Sequence, residues 1–452
     1  MNVLIVGCGK VGSAVAAQLL QEQHLVTIVD TDQARLDDVV NTLDVQGVVG
    51  SGSSYDTLME AGVADADLFI AVTSQDETNM LACLLARKLG HCQTIARVRN
   101  PEYHRDIQYI KDELGLAMVV NPEREAAMDI FRLLQTPAAL EIDNFHRGRV
   151  SMIRLLVNEG SPLAGKNMIE INSLVGGKML VCIRERNGEI VIPNGNTDLQ
   201  AGDKISVVIP LTEVSQVLHS LKLQQKPIHS AMIAGGGTMA VYLADSMIRA
   251  RMHVTIVESD LNRCNQLAEL LPRAQIIHGD TTDKQVLREE GLLNAEAFIC
   301  LTNLDEENIM LALYADKVSN ARVVTKISRI EFEEVIDTLP LGAVIYPKNI
   351  MSERIVRHVR AMENAAGNNA ETLYQMLDGR VEAMEFVVSS AAKKLTGIPL
   401  KSMMLKQGLL LCCINRDGKV ISPSGNDMLQ ENDVVVIVTT HKGIRDLRDI
   451  VR

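Results

Sequence analysis

Gly7-Cys8-Gly9-Lys10-Val11-Gly12 returns as Gly235-Gly236-Gly237-Thr238-Met239-Ala240, 228 residues downstream, and other landmarks follow at nearly the same spacing. Asp30 with Arg35 returns as Glu258 with Arg263, Gly50 as Gly279, Thr73 as Thr302, Arg97 as Lys326, and Pro193-x-Gly195 as Pro423-x-Gly425. A repeat of this length means two copies of one unit, not one large core. With 452 residues, each copy has room for two domains.

Within each copy the pattern changes part-way. Short apolar runs (Val3 to Val6, Leu25 to Val29, Leu68 to Val72, Thr94 to Val98) alternate with amphipathic stretches of helical length, which implies βαβ units and a parallel sheet covered on both faces. Downstream, strand-like runs (Val150 to Leu156, Met179 to Arg184, Ile205 to Ile209) are separated by turn signals such as Asn187-Gly188 and Pro193-Asn194-Gly195, the mark of a small α+β domain. The second copy repeats this, from Val381 to Phe386 and on through Asp417-Gly418. The expected fold class is α/β: two Rossmann-like doubly wound parallel-sheet domains, each followed by a small α+β domain. The expected boundaries are 1–123, a connecting helix 124–140, 141–223, 229–350, a connecting helix and loop 351–369, and 370–452. Lys222 to Pro227 separates the copies, and Ala365 to Asn369 reads as a loop.

G-x-G-x-x-G alone is weak evidence, but here it follows an apolar strand, opens a helix over Ser13 to Leu20, and has an acid at the end of the second strand. Gly7 permits the tight turn, Gly9 lets backbone approach a pyrophosphate, and Gly12 lets helix and strand pack. The helix end supplies N–H groups and a positive dipole, with Lys10 and Val11 beside it. Asp30 should accept a ribose hydroxyl and repel the 2′-phosphate of NADP, favouring NAD(H) without separating it from ATP or ADP. In the second copy Gly235, Gly237 and Ala240 form the fingerprint and Glu258 is the acid; Gly279-Asp280 offers a turn where the first copy has Gly50-Ser51, so the two sites need not share a ligand. Thr73-Ser74 with Asp76, and Thr302, would line the crevice at the strand ends, where Ser74 and Asn303 also read as capping-box residues. Arg97 and Lys326 end the next strand as candidate phosphate clamps. The candidate set is completed by Cys8, Thr31, Arg35, Gly236, Thr238, Met239 and Arg263.

Other classes are disfavoured. A net charge of −12 gives no field toward nucleic acid, and an aromatic content of 3% without tryptophan disfavours base stacking. The eight cysteines form no C-x-x-C pair, so buried thiols are expected, and no metal site. The acidic pairs Asp37-Asp38 and Glu306-Glu307 read as solvated helix faces. No apolar run approaches the roughly 18 to 20 residues of a membrane span, which leads to the expectation of a soluble, cytoplasmic protein. A dehydrogenase would need a substrate domain carrying an acid or base, whereas the domains that follow are small and turn-rich, and none of the ten histidines has a duplicated counterpart.

Ala71-Val72-Thr73-Ser74, Asp76-Glu77-Thr78-Asn79-Met80 and Ile95-Ala96-Arg97-Val98-Arg99-Asn100-Pro101-Glu102-Tyr103, with the glycine turns and Val29-Asp30, resemble the tandem RCK (KTN) family of potassium-conductance regulators, and within it the TrkA-type subunits of Trk uptake systems. Cys8 and Lys10 depart from the Ala and Gln expected there. The resemblance covers nearly the whole chain and implies no catalysis. It implies a cytoplasmic protein, peripheral on the inner face of the membrane, forming a homo-oligomeric ring, a tetramer, under a membrane-embedded Trk-type potassium translocating subunit. NAD(H), with ATP or ADP, would shift the ring and gate the pore. Carried over by position, the first crevice would use Gly7, Gly9, Lys10, Val11, Asp30, Thr73, Ser74 and Arg97, the last reaching a phosphate across a subunit interface. The alternatives are a regulator of a potassium channel or potassium/proton antiporter, and an NAD-dependent dehydrogenase.

Overall fold

The computed structural model describes residues 1–451 except 137, 146–148, 224–226, 330, 331, 337, 366–369, 378, 379, 443 and 445. Residues 224–226 of the expected linker at 222–227 and residues 366–369 of the expected loop at 365–369 lie outside the described residues.

The first copy begins β1 (Asn2–Val6), α1 (Lys10–Gln21), β2 (Leu25–Asp30), α2 (Gln33–Thr42), β3 (Gln46–Val49), α3 (Tyr55–Glu60), β4 (Leu68–Ala71), α4 (Asp76–Gly90), β5 (Gln93–Arg97), α5 (Pro101–Leu114), β6 (Met118–Val120) and α6 (Pro122–Gln135). It continues with β7 (Ala139–Phe145), β8 (Val150–Leu156), α7 (Met168–Leu174), β9 (Leu180–Arg186), β10 (Glu189–Val191), β11 (Lys204–Pro210) and α8 (Val214–Ser220). The second copy follows with β12 (Ser230–Ala234), α9 (Thr238–Arg249), β13 (His253–Glu258), α10 (Leu261–Leu270), β14 (Gln275–His278), α11 (Lys284–Glu289), β15 (Ala297–Cys300), α12 (Asp305–Val318), β16 (Arg322–Lys326), α13 (Glu333–Ile336), β17 (Ala343–Ile345) and α14 (Pro347–Ala365). It ends with β18 (Ala370–Met376), β19 (Val381–Val387), β20 (Leu409–Arg416), β21 (Lys419–Ile421) and β22 (Val434–Thr439).

Like domains group with like. One compact unit is Met1–Phe131 with Ile228–Val356, and the other is Arg132–Pro227 with Arg357–Arg452. In the first unit, two six-stranded sheets run β3-β2-β1-β4-β5-β6 and β14-β13-β12-β15-β16-β17, every pairing parallel. This is the doubly wound order, whose switch point between β1 and β4, or β12 and β15, opens a crevice at the strand carboxyl ends. Central strands are apolar along their whole length because helices cover both faces; all four residues of β4 and of β15 are buried. Phe69 and Phe298 sit at 0% exposure in equivalent cores, where truncation to alanine would cost about 3–5 kcal/mol.

In the second unit, two five-stranded antiparallel sheets run β10-β9-β11-β8-β7 and β18-β19-β22-β20-β21, the same order read from opposite ends. Asn187-Gly188 and Asp417-Gly418 have positive φ at both positions (53° and 80°, 49° and 85°), the two-residue turns that join β9 to β10 and β20 to β21. The two sheets share one core, in which Phe145, Met152 and Cys182 pack with Val381, Cys412 and Cys413. Arg149 donates to the carbonyl of Gly418 at 3.5 Å and Arg380 to that of Gly188 at 3.2 Å, so each domain steadies the other's turn. Arg186 and Arg416 each grip a buried aspartate through two nitrogens, Asp203 at 2.6 and 2.8 Å and Asp433 at 2.8 and 2.8 Å. All eight cysteines are buried free thiols.

The capping boxes expected at Ser74 and Asn303 are not formed. α4 starts at Asp76 behind Gln75 and α12 at Asp305 behind Leu304, and neither has a side-chain cap. The hydroxyls of Thr73 and Thr302 take the backbone N–H of Gln75 and Leu304 instead, at 3.3 Å each, because a buried asparagine fixes both threonines.

Candidate functional site: the two glycine-turn crevices

Each crevice is built from a strand end, a glycine turn and a helix start. Gly7 and Gly235 have φ of +103° and +97°, where other residues are strained, and a Cβ on either would lie 3.0 Å from the backbone of the adjoining strand end, at Thr73 or at Leu301 and Thr302. A Cβ on Gly12 would fall 1.9 Å from the Gly7 carbonyl, whereas Gly9 and Gly237 have nothing within 4 Å of theirs. Gly12 therefore serves packing, and the space beside Gly9 is open for a ligand to approach the backbone.

Four neighbouring helices are capped by side chains: α2 by Asp32, α3 by Ser54, α10 by Asp260 and α11 by Asp283. α1 and α9 start at glycine without a side-chain cap and have no acidic residue in the first turn. Their positive dipole ends face the crevice uncompensated, the setting that favours an anion.

The acids hold the turns. Asp30 accepts the N–H of Cys8 at 2.7 Å and of Asp32 at 3.0 Å; Glu258 accepts the N–H of Gly236 at 2.8 Å and of Asp260 at 2.9 Å. Each carboxylate oxygen keeps a lone pair for a ribose hydroxyl. Size is traded within each pair: the short Asp30 faces Cys8, while the longer Glu258 lies 3.1 Å from where a Cβ on Gly236 would stand. Burial raises the pKa of Asp30, but hydrogen bonds from the backbone of Asp32 and Cys8 and from the Cys8 thiol, with the charge of Arg35, bring it below its ordinary value. Burial and the neighbouring Asp30 push the Cys8 thiol up to about 12, so it is an inert filler.

The remaining candidates are placed as follows. Thr31 is exposed beside Asp30, and Arg35 pairs with Asp32 at 3.3 Å, whereas Arg263 donates to the Gly236 carbonyl at 2.8 Å. Gly50 and Gly279 donate to the carbonyls of Asp30 and Glu258, both at 2.9 Å. Ser51 bonds Ser53 at 2.9 Å, and Asp280 accepts from the N–H and hydroxyl of Thr282 at 2.8 and 2.7 Å. Val11 and Thr238 are half-buried on their helix starts, the Met239 side chain lies in the core, and Ser74 is exposed. Arg97 is turned inward onto Glu123 at 3.2 Å, and Lys326 reaches the Leu301 carbonyl at 3.4 Å; burial lowers the pKa of both. Among the described residues no group of His, Cys, Asp and Glu is arranged to hold a metal ion.

Asn79 and Asn308, not anticipated from sequence, organise the crevices. Each is fully buried, accepts from the N–H and hydroxyl of Thr73 or Thr302 (2.9 and 2.7 Å; 2.9 and 2.8 Å), and donates to the carbonyl of Arg97 or Lys326 (2.9 and 3.0 Å). They fasten the end of one strand to the end of the next. The signal available in the sequence was their own repetition, six residues after Thr73 and six after Thr302. Asp76 accepts the N–H of Arg99 and Asn100 at 2.9 and 2.8 Å, and Asp305 that of Ser328 at 3.0 Å.

The two copies also meet at these crevices. Lys10 on α1 reaches the Ser328 carbonyl at 3.5 Å, and Tyr242 on α9 donates to the Arg99 carbonyl at 3.0 Å while accepting from Asn121 at 2.9 Å. Each glycine-turn helix thus abuts the loop that follows the other copy's fifth strand.

Paired doubly wound sheets with empty-capped glycine turns, each followed by a small antiparallel domain, define a tandem RCK-type protein. Residues 3–122 and 231–347 match the TrkA-N domain family, and 152–222 and 383–452 the TrkA-C domain family. The chain belongs to the TrkA family. It is 29% identical to the Trk system potassium uptake protein TrkA of Azorhizobium caulinodans, over 100% of this chain and 99% of that one. It is 30% identical to that of Halomonas elongata, over 100% and 98%. The structure titled "GsuK channel bound to NAD" aligns with a TM-score of 0.64 at 20% identity, over 98% of this chain and 77% of the other, and that of the GsuK RCK domain gives 0.64 at 20%, over 98% and 92%. At those identities the likeness concerns fold. Membership places the chain among potassium-transport proteins and not among dehydrogenases: it is not an enzyme. No helix among the described residues is long and apolar enough to cross a membrane.

Proposed function

We propose that this chain is a regulatory subunit that binds adenine nucleotides, NAD(H) and ATP or ADP, in its glycine-turn crevices and thereby gates a Trk-type membrane potassium translocating subunit. The observation that carries the reading is the contrast between α1 and α9, uncapped and acid-free behind glycine turns, and the capped helices around them. The relatives' names supply the transport system, and the RCK neighbours with titles naming NAD and ADP supply the ligand class. A nucleotide acts through differential affinity for two geometries, with coupling of about 1–3 kcal/mol. The crevices lie where the two copies abut, so a ligand there bears on that junction directly.

Self-association into a ring fits an apolar surface on the second copy: Leu304, Met310, Phe332 and Val335 are 49% to 72% exposed around α12 and α13, and Leu81 and Tyr109 are exposed on the first. The ring would work at the cytoplasmic face, peripheral to the membrane. The test is calorimetry of the whole chain with NAD, NADH, ATP and ADP, joined to co-purification with the Trk-type subunit from membranes. Saturable adenylate binding and co-purification are expected; a chain that ignores every adenylate would refute the proposal.

A further inference from the structure

The two small domains share a sheet order, so the segment in which they differ carries information. It begins where Val157 and Val388 donate to the carbonyls of Asp203 and Asp433, at 2.9 and 2.8 Å. It ends at Leu180 and Leu410, whose carbonyls take the thiols of Cys182 and Cys412 at 3.4 Å each. In the first copy this stretch holds two lysines and two glutamates; in the second it holds Lys393, Lys394, Lys401 and Lys406 and no acid. The local structure differs with the charge. The first copy forms α7, closed by the Asn167–Glu170 capping box, and its Lys178 meets Glu213 at 2.9 Å. The second copy forms two short 3₁₀ turns, Ser390–Leu395 and Leu400–Ser402.

The second segment is nonetheless fastened along its length. Gly397 donates to the Leu429 carbonyl at 3.1 Å, and Leu400, Lys401 and Lys406 donate to those of Asp427, Gly425 and Ile450 at 2.9 Å each. Its inner side is apolar: Ala392 and Leu395 are buried, and Leu400, Met403 and Leu405 pack onto the same core. Its outer side carries the charge. Lys393, Lys394 and Lys401 are exposed and Lys406 is half-buried. Among them Met404 is 77% exposed and Ile398 38%, and Met428, bridged to Pro399, is 42% exposed. The nearby arginines are matched, Arg416 by Asp433 and Arg448 by Asp446, at 2.8 Å each. Among the described residues, none of the four lysines has an ion pair or a side-chain hydrogen bond.

We infer that this face of the last domain docks on the anionic lipid headgroups of a membrane, with the lysines at the phosphate level and Met404, Ile398 and Met428 against the acyl boundary. A fixed, acid-free face of unmatched ammonium groups and exposed apolar side chains is complementary to a plane of negative charge with an apolar layer beneath it. Lysines are point charges without the planar fork that reads one carboxylate, which suits a diffuse surface better than a single ordered acidic partner. With a formal charge of −12 the chain as a whole is repelled by such a surface, so its approach is confined to a local basic face. The inference rests on the reading that the chain works at a membrane. Its test needs neither nucleotide nor membrane subunit, so its failure leaves the gating reading standing.

The test is flotation of the full chain with vesicles of phosphatidylcholine alone and of phosphatidylcholine with phosphatidylglycerol in equal parts. Binding to the anionic vesicles only, weakened by added salt, is expected. Replacing Lys393, Lys394 and Lys401 together by glutamine should weaken it by at least about tenfold, since each lysine near the surface contributes about fivefold. Met404→Ser should weaken binding while leaving its salt dependence in place, and Lys166→Gln in the first copy should leave it unchanged. Melting temperatures check folding, and Lys393→Gln with Lys394→Gln carries the test if the triple variant is unstable. Equal binding to both vesicles, no binding at low salt, or unchanged binding in the lysine variants overturns the inference. Salt-sensitive self-association without vesicle binding, abolished by the same substitutions, also overturns it and assigns the face to a second copy of the chain.

Discussion

Gly7 and Gly9 stand two residues apart and answer to different constraints. Gly7 needs its positive φ and has strand backbone 3.0 Å from where a Cβ would be, so Gly7→Ala should cost about 2–3 kcal/mol in urea unfolding. Gly9 has ordinary φ and open space around it; Gly9→Ala should cost at most about 1 kcal/mol, as a weaker helix cap, yet abolish most nucleotide affinity by filling the approach to the backbone. Equal loss of stability in the two variants would contradict this division. Asp30 adds a pH dependence. Its folded pKa lies below its ordinary 3.8, so its contribution to stability is full above that value and is lost as pH falls through the depressed one. Thermal melts of Asp30→Asn should therefore lose less on acidification below about pH 4 than the wild type does. These residues were legible in the sequence because strand, turn, helix and acid occur at fixed spacing. Asn79 was not, because one polar residue inside an amphipathic helix looks like its solvent face until the fold turns it toward two strand ends.

Among the elements, the central strands were legible and the edges were not. β1, β2, β4 and β5 bury continuous apolar runs, whereas β3 and β6 are edge strands of four and three residues that expose part of their length. β7 and β18 also escaped notice, since acidic and polar residues interrupt their apolar positions. The starts of α4 and α12 were misplaced for a local reason: the buried asparagine holds the threonine, and the threonine, not Ser74 or Asn303, meets the incoming N–H. Asn79→Ala should cost about 2–4 kcal/mol in chemical denaturation, because the N–H of Thr73 and the carbonyl of Arg97 lose a buried partner together. It should also weaken nucleotide binding through the displaced strand ends. A loss under 1 kcal/mol would mean that other groups fasten those strands.

At the scale of the whole molecule, duplication has produced two crevices with one backbone plan and different charges, grouped in one compact unit. Lys10 of the first copy reaches the Ser328 carbonyl of the second at the mouth of the first crevice, so a nucleotide bound there would bear on the contact between the copies. The exposed apolar residues belong to this scale too. Met310→Asp with Phe332→Asp should shift light scattering from an oligomer toward a smaller species without lowering the melting temperature, since both side chains are exposed in the single chain. The most direct test of the account is potassium-analogue uptake into vesicles that contain the membrane subunit, titrated with ATP and NADH in the presence of wild-type chain or of Gly9→Ala with Gly237→Ala. Uptake that responds to nucleotide with the wild type and is flat with the doubly substituted chain is the predicted result; an undiminished response with both open glycine positions filled would contradict it.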